Sequence, residues 1–451
     1  MENKNSAPVG GAARLRRSLT LWDLVLYGVI VVQPVAPMSV FGVLSDRSHG
    51  YAVTTILIAM VAMLFTAISY GRMARVYPSA GSAFTYVGQE ISPALGYITG
   101  WGMVMDYLLN PMICIIWCSQ QAHVFAPHVA YWAWAVFFAA VFTGLNIQGV
   151  KSSSHVNFGL AVAMGVVIAI FFVVAARYIF GHHGGTDFFL HPFYDPATWN
   201  TKAVLGGTSI AVLTYIGFDG ISTLSEEVEN PRRNILLATV LTCLVIGILS
   251  AIQVYAAQLI WPASEAFPNV DTAFVHVAAR AWHPMFIIVG FTLLVANFGS
   301  GMGAQLGAAR LLYGMGRSEA LPKSFFGKVD PKRHVPRNNV LFVGLIALAG
   351  AFIMSYALGA EMLNFGALIA FMGVNAAAFV HYFVRAEEKK ITHFIPPVAG
   401  FCICLLLWLN LSHTAILAGV IWMAAGISFG AWKTHGFRKN LINFELPAED
   451  A

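Results

Sequence analysis

Charge is what this chain has least of. Asp, Glu, Lys and Arg together make up 10% of its 451 residues, while 58% are hydrophobic. An ordinary soluble domain carries about a quarter charged residues, so a soluble globular protein is excluded. Cysteine is scarce too. The five, Cys114, Cys118, Cys243, Cys402 and Cys404, all fall in apolar runs, where helical spacing and lipid burial argue against a disulfide framework. No histidine cluster accompanies them, so neither a metal site nor a cofactor is expected. There is no His-rich metal motif and no nucleophile elbow, which leaves a membrane enzyme without a catalytic constellation. No selectivity-filter sequence recurs along the chain, which disfavours a channel. Residues 1–20 are polar and basic with no separate apolar core, so no signal peptide is expected and the first apolar segment serves as its own insertion signal.

What is present is a series of long apolar runs. Residues 24–45, 48–71, 152–176, 234–264, 281–309, 338–360 and 362–384 carry no charge, and each holds the roughly 20 residues a spanning helix needs. Residues 391–432 are long enough for two spans, with 410–413 as a polar hinge. Two further spans between Glu90 and Lys151, and one interrupted segment, bring the expectation to about twelve transmembrane helices. They are placed near 21–44, 51–71, 93–121, 130–148, 154–180, 204–225, 233–261, 283–312, 338–357, 362–384, 393–411 and 413–432. The fold class is an all-α polytopic membrane protein. With the N-terminus inside, 22 of the 26 Lys and Arg fall on the cytoplasmic side and 4, Arg47, Arg177, Lys202 and Arg280, outside; both termini are then cytoplasmic. The same asymmetry accounts for the net charge of +5 through anionic lipid headgroups, with no nucleic acid as partner.

Two of the segments are broken. In the sixth, TSIAVLTYIGFDGISTLSEEVENPRR (208–233), Gly217 and Gly220 bracket Phe218 and Asp219. In the first, VVQPVAPMSVFG (31–42) carries Pro34 and Pro37, so an interruption is expected over 33–39, with Gly42 letting the helix resume. Unpaired backbone at membrane depth is tolerated only where it is buried in protein or lines a water-filled cavity. Two such breaks at corresponding places in two halves point to a transporter's binding site; the bland alternative is a proline kink with no ligand. Asp106 is the sole charged residue in 91–150. An intramembrane carboxyl is a functional hypothesis by default, with Tyr107 and Asn110 beside it, though it could equally be tied to a neighbouring helix. Glu226, Glu227 and Glu229 face Arg232 and Arg233 across a turn and read as a cytoplasmic charged network or gate. His155, His182 and His183 read as interfacial or loop residues, and 309–321 reads as helical.

Taken together, YPSAGSAFTYV (77–87), IGFDGISTLSEEVENPRRNI (216–235), ARLLYGMGRSEALP (309–322) and NFGALIAFMGVN (364–375) resemble the amino acid, polyamine and organocation permeases over essentially the whole chain. Within that family the chain looks most like the bacterial putrescine importers, which share the proline break, the GFDG and TLSEE run, and the DYL-x-PM pattern seen here at Asp106 to Met112. The resemblance implies a five-plus-five inverted repeat with discontinuous segments 1 and 6. That divides the chain into a cytoplasmic tail (1–20), a first repeat (21–180), a periplasmic loop (181–203), a second repeat (204–385), two further helices (386–432) and a second cytoplasmic tail (433–451). It places substrate against Val35, Ala36, Pro37, Met38 and Ser39 of segment 1 and Leu213, Thr214, Ile216, Gly217, Phe218 and Asp219 of segment 6.

Three departures from the family pattern stand out. Pro37-Met38-Ser39 replaces the usual Gly-x-Gly and offers fewer backbone donors for a carboxylate. Gly42 follows Phe41, where the putrescine importers have an acid. Segment 5 has no lysine at the place where some relatives use one in lieu of sodium. The expectation is a secondary active transporter of the bacterial inner membrane that imports an amino acid or a polyamine-like amine by alternating access. One ammonium is held by segment 6 carbonyls and by Asp106 or Asp219, Phe218 closes over it, and protons are the coupling ion. An amino acid/amine exchanger is the alternative, and a non-transporting sensor a remote one.

Overall fold

A computed structural model describes residues 19–77, 82–149, 154–182, 186–224, 228–317, 321–333 and 335–436. Among them the structure is helical throughout, with one isolated β-bridge between Leu19 and Val228. In chain order the helices are α1 (Leu21–Val32), α2 (Ala36–Arg47), α3 (Ala52–Val76), α4 (Ser82–Glu90), α5 (Pro93–Phe125), α6 (Tyr131–Gln148), α7 (Ser154–His182), α8 (Thr186–Leu190), α9 (Thr201–Ala211), α10 (Pro231–Ile260), α11 (Ala273–Ala281), α12 (Met285–Arg317), α13 (Lys323–Phe326), α14 (Arg337–Ile353), α15 (Tyr356–Phe379), α16 (Ile391–Leu409) and α17 (His413–Lys433). After α9 the chain winds as two short 3-10 helices, Val212–Tyr215 and Phe218–Leu224.

Nine helical stretches of the described residues are long and apolar enough to cross a membrane, and α1 with α2, bent by 47°, makes a tenth. α14 is a shorter apolar helix, and α6 falls where the sequence places a further span. Inside lipid only helices satisfy every backbone group, which is why apolar runs of this length fold this way. Their ends are marked by polar caps: Thr20 and Asp23 form a reciprocal capping box on α1, and Ser92, Asn200, Ser355 and Ser412 accept from the first turns of α5, α9, α15 and α17. Five spans (α1/α2, α3, α5, α6, α7) precede five more (α9 with its 3-10 turns, α10, α12, α14, α15). The face of the bundle on which α1 begins is here the N-terminal face.

Packing relies on small residues. A Cβ on Gly366 would lie 2.3 Å from the Gly102 carbonyl oxygen, so α5 and α15 cross almost backbone to backbone; Gly71 meets Leu236 and Gly247 meets Met60 where α3 lies on α10. The peripheral α16 and α17 expose Ile391, Leu409, Leu417 and Ile421, as lipid-facing surfaces do.

The structure moves several expected boundaries. The first break spans only Gln33 to Val35, because Pro37 falls in the first turn of α2, where a missing N–H is harmless. Gly42 is not where the helix resumes. It admits the segment after α10, since a Cβ there would run into the Val270 carbonyl oxygen. Segments 9 and 10 divide at Met354 and Ser355, not at Glu361. That glutamate lies inside α15, 5% exposed, paired with Arg47 at 3.4 Å and accepting from Ser412 N at 3.0 Å. Glu90 is likewise interior, held by Tyr77, His381 and Arg385 at 2.8, 2.9 and 2.7 Å. Two buried carboxylates thus clamp α15, one near each membrane face.

Candidate functional site

The two breaks meet at the centre of the bundle and form one wall of a cavity of about 830 Å³, within the size range of small-molecule sites. Break 1 is made by proline. Pro34 cannot donate to the Ile30 carbonyl, so α1 ends, and Gln33 turns the chain with a φ of 67°. Two amides hold the turn: Gln33 Nε2 donates to Ala296 O on α12 and Gln253 Nε2 to Pro34 O, each at 2.9 Å. Break 6 is made by glycine. Gly217 has a φ of 116°, a region open to glycine and strained for other residues. Its N–H donates to Asp219 Oδ1 at 3.3 Å, and Ser222 Oγ donates to Asp219 O at 2.6 Å. The preceding residue, Ile216, has ψ 130°, which ends the 3-10 turn and leaves the carbonyls before it without the ladder partners of a continuous helix.

Of the expected site residues, Ala36, Ser39, Asp106, Tyr107, Asn110, Leu213, Thr214, Ile216, Gly217 and Asp219 line this cavity. Val35, Pro37, Met38 and Phe218 do not. Phe218 is fully buried behind the break, its ring 5.6 Å from Tyr70 and 5.5 Å from Phe371. Arg232 and Arg233 sit exposed in the first turn of α10, whereas Glu226 and Glu227 lie outside the described residues. Tyr77, just past the end of α3, has its phenol pushed up to about 12, first by burial and then by its hydrogen bond to Glu90; it stays a neutral donor to that carboxylate.

The cavity is lopsided. Tyr27, Ile30 and Val31 of α1, Leu160 and Ala161 of α7, and Met302 and Leu306 of α12 extend it toward the N-terminal face, and Tyr27 and Val31 are 37% and 40% exposed. On the far side it is shut. Phe41 packs edge-on against Phe267 and Phe274, 5.8 and 5.6 Å away, and Trp117 Nε1 donates to Ser39 O at 3.2 Å. The segment that caps it carries Asp271, whose carboxyl is raised above its usual range by burial, and an exposed pair in which Arg280 holds Glu265 below it.

Chemically, the lining has one sign. Among the described residues it contains two carboxylates, Asp106 and Asp219, and no Lys, Arg or His. A cavity of that composition favours a cation and disfavours a free anion. The lining also includes Gln33, Asn146, Asn297, Ser300 and Tyr356. Apart from Gln33, these escaped a reading keyed to charge and to helix breaks. The available signal was Asn297 in LLVANFGSGMG, an amide beside glycines spaced two apart in a membrane segment.

Apolar helices around a central cavity walled by two discontinuous segments are the architecture of a secondary transporter. The chain belongs to the amino acid permease family, whose model matches residues 38–444. It is 35% identical over 451 residues to the low-affinity putrescine importer PlaP of Escherichia coli K12, covering 98% of this chain and 99% of that one. The branched-chain amino acid permease BcaP of Bacillus subtilis is 25% identical over 452 residues, 93% of this chain and 94% of that one. The vacuolar cationic amino acid transporter 4 of Arabidopsis thaliana is 26% identical over 417 residues, 85% and 66% respectively. All three are transporters and none an enzyme, but their cargoes differ, so the cavity has to decide between them.

Proposed function

We propose that this transporter imports a small cationic amine of the diamine type across a bacterial inner membrane, with both termini cytoplasmic. The observation that carries the reading is the cavity lining, with Asp106 and Asp219 and no cationic side chain among the described residues. A zwitterionic amino acid needs a donor for its carboxylate. Here Pro37 removes one N–H from the first turn of α2, and Met38 N is already donated to Val35 O at 3.0 Å. The amino end of a substrate is well served by the carbonyls freed at break 6, backed by Asp219.

With the N-terminal face cytoplasmic, the cavity's lean toward that face is an inward-facing form, shut outside by the Phe41, Phe267 and Phe274 cluster. Alternating access then requires α1 to move against α12 and the 261–272 segment to release α2. Proton symport fits the two protonatable carboxylates, and Arg232 and Arg233 at the cytoplasmic mouth serve as part of a gate.

The test is a thermal-shift screen of purified protein against diamines, monoamines and neutral amino acids, followed by uptake into proteoliposomes. A ligand at 100 times its Kd stabilises the bound state by about 2.7 kcal/mol. Diamines should give the largest shift, and their uptake should rise with an imposed inward proton gradient. A shift with leucine and none with diamines would overturn the substrate reading. Uptake indifferent to the gradient but dependent on preloaded substrate would replace symport by exchange.

A further inference from the structure

Four carboxamides border the cavity: Asn110 Oδ1 accepts from Cys114 Sγ at 3.5 Å, whereas Gln33, Asn146 and Asn297 are all turned the same way. Gln33 Nε2 donates to Ala296 O at 2.9 Å, Asn297 Nδ2 to Leu293 O at 2.9 Å and Asn146 Nδ2 to Met302 O at 3.0 Å. A main-chain carbonyl only accepts, so each amide must present its nitrogen to α12 and cannot be flipped. In the two asparagines the second hydrogen is taken as well, by Ser39 Oγ at 3.0 Å for Asn297 and by Gln305 Oε1 at 2.9 Å for Asn146. Gln305 is locked in turn, its Nε2 donating to Val340 O and Thr143 Oγ1 at 3.2 and 2.9 Å.

What this leaves is three amide oxygens with no donor among the described residues. Asn146 and Asn297 are only 2% and 9% exposed, and none of the three oxygens is sealed in the interior without a partner, so they open onto the cavity. Such a site selects for a ligand rich in N–H donors. A protonated primary amine has three of them and no acceptor, as the lysine side chain does.

The oxygens fall into two groups along α12. Gln33 and Asn297 are anchored on one turn, at Ala296 and Leu293, and Asn146 at Met302 and Gln305. At about 1.5 Å rise per residue the residues Asn297 and Met302 to Gln305 stand roughly 8–12 Å apart along the axis. Each group has a carboxylate. Gly217, joined to Asp219, packs on Val31 and Val32 next to Gln33. α5 runs antiparallel to α12, with Cys118 at Leu294, Cys114 at Gly301 and Tyr107 at Gly307, which puts Asp106 level with the Asn146 end.

We propose that the cavity has two ammonium poles, Asp219 with Gln33 and Asn297 at the breaks and Asp106 with Asn146 nearer the N-terminal face, and that the spacing between them selects linear diamines over monoamines. This rests on the reading of the substrate as a cation and adds to it the residues that measure its length. A site built to hydrogen-bond an N–H group strongly rejects an analogue that lacks it.

The test compares 1,4-diaminobutane with butylamine in reconstituted wild-type protein and in Asn146→Leu and Asn297→Leu, each checked for monodispersity and ligand-free Tm. Asn297→Ser, which keeps a small acceptor that can also bond back to Leu293 O, stands in if the leucine variant fails to fold. The wild type should prefer the diamine by about tenfold or more. Each leucine variant should raise KM for the diamine by a similar factor. Only one of them should affect butylamine, so the preference collapses toward unity in the other. Folded variants that leave both KM values unchanged, or that raise both equally, would overturn the two-pole assignment while Asp219→Asn, if it abolishes amine binding, keeps the cation reading. A wild type that binds neither amine defeats both.

Discussion

The two breaks solve one problem with different chemistry. Break 1 is short and braced by its surroundings: proline ends α1, Gln33 of the break donates to Ala296 O of α12, and Gln253 of α10 donates to Pro34 O. Break 6 is long and self-braced: glycine turns the chain, and Asp219 receives the Gly217 N–H two residues away. The first break is therefore tied to the helices that must slide past it, while the second carries its own support and can present charge. The difference suggests that break 1 is the moving part and break 6 the fixed reading head.

The largest effect should come from separating charge from support at break 6. Asp219→Asn keeps an acceptor for Gly217 N–H but removes the charge. Loss of a charge-assisted hydrogen bond of about 1.5–3 kcal/mol raises KM for a cationic amine roughly 10- to 100-fold with little change in Tm. Asp219→Ala removes both and should lower Tm as well; equal Tm in the two variants would deny the bracing role. Next comes Gly217→Ala. A Cβ there lies at φ 116° and 3.1 Å from Val31 Cγ1, a strain of about 1–3 kcal/mol visible as a fall in apparent Tm.

At break 1, Gln253→Leu leaves the Pro34 carbonyl buried without a donor, at about 1–3 kcal/mol. Because the brace crosses to α10, its signature should be an altered maximal uptake rate with a smaller change in KM, the reverse of Asp219→Asn. The smallest effect lies on the cover over α2. Burial raises the Asp271 carboxyl, so the folded state prefers it protonated: that contribution is complete below the ordinary carboxylate range and is lost as pH rises through the raised value. Asp271→Asn should therefore raise Tm at neutral pH and leave it unchanged in acid, measured by melting scans across pH.

Much of this architecture was legible from apolar runs, since a run of 20 uncharged residues has few alternatives to a spanning helix. The breaks were legible from proline and glycine, and Asp106 and Asp219 from their cost in lipid. Less legible were Glu90 and Glu361. Charge alone marked them as loop residues, yet both are interior, because arginines distant in sequence neutralise them at 2.7 and 3.4 Å. Phe218 illustrates the opposite error. It sits within the break motif, but the tight turn at Gly217 and Ile216 sends its ring into the aromatic cluster of Tyr70 and Phe371 rather than into the cavity.

By itself, then, the sequence determined that this chain lives in a membrane, at which places two of its apolar segments are interrupted, and that Asp106 and Asp219 lie within apolar segments. These follow from local terms, namely transfer free energy, proline's missing donor and glycine's conformational range. Only the tertiary structure decided which side chains share the cavity and which way they face. The orientation of Asn146, Asn297 and Gln33 depends on carbonyls of α12 more than 150 positions away in the chain for the two most distant pairs, and an amide's two ends become chemically distinct only once a partner has claimed one of them.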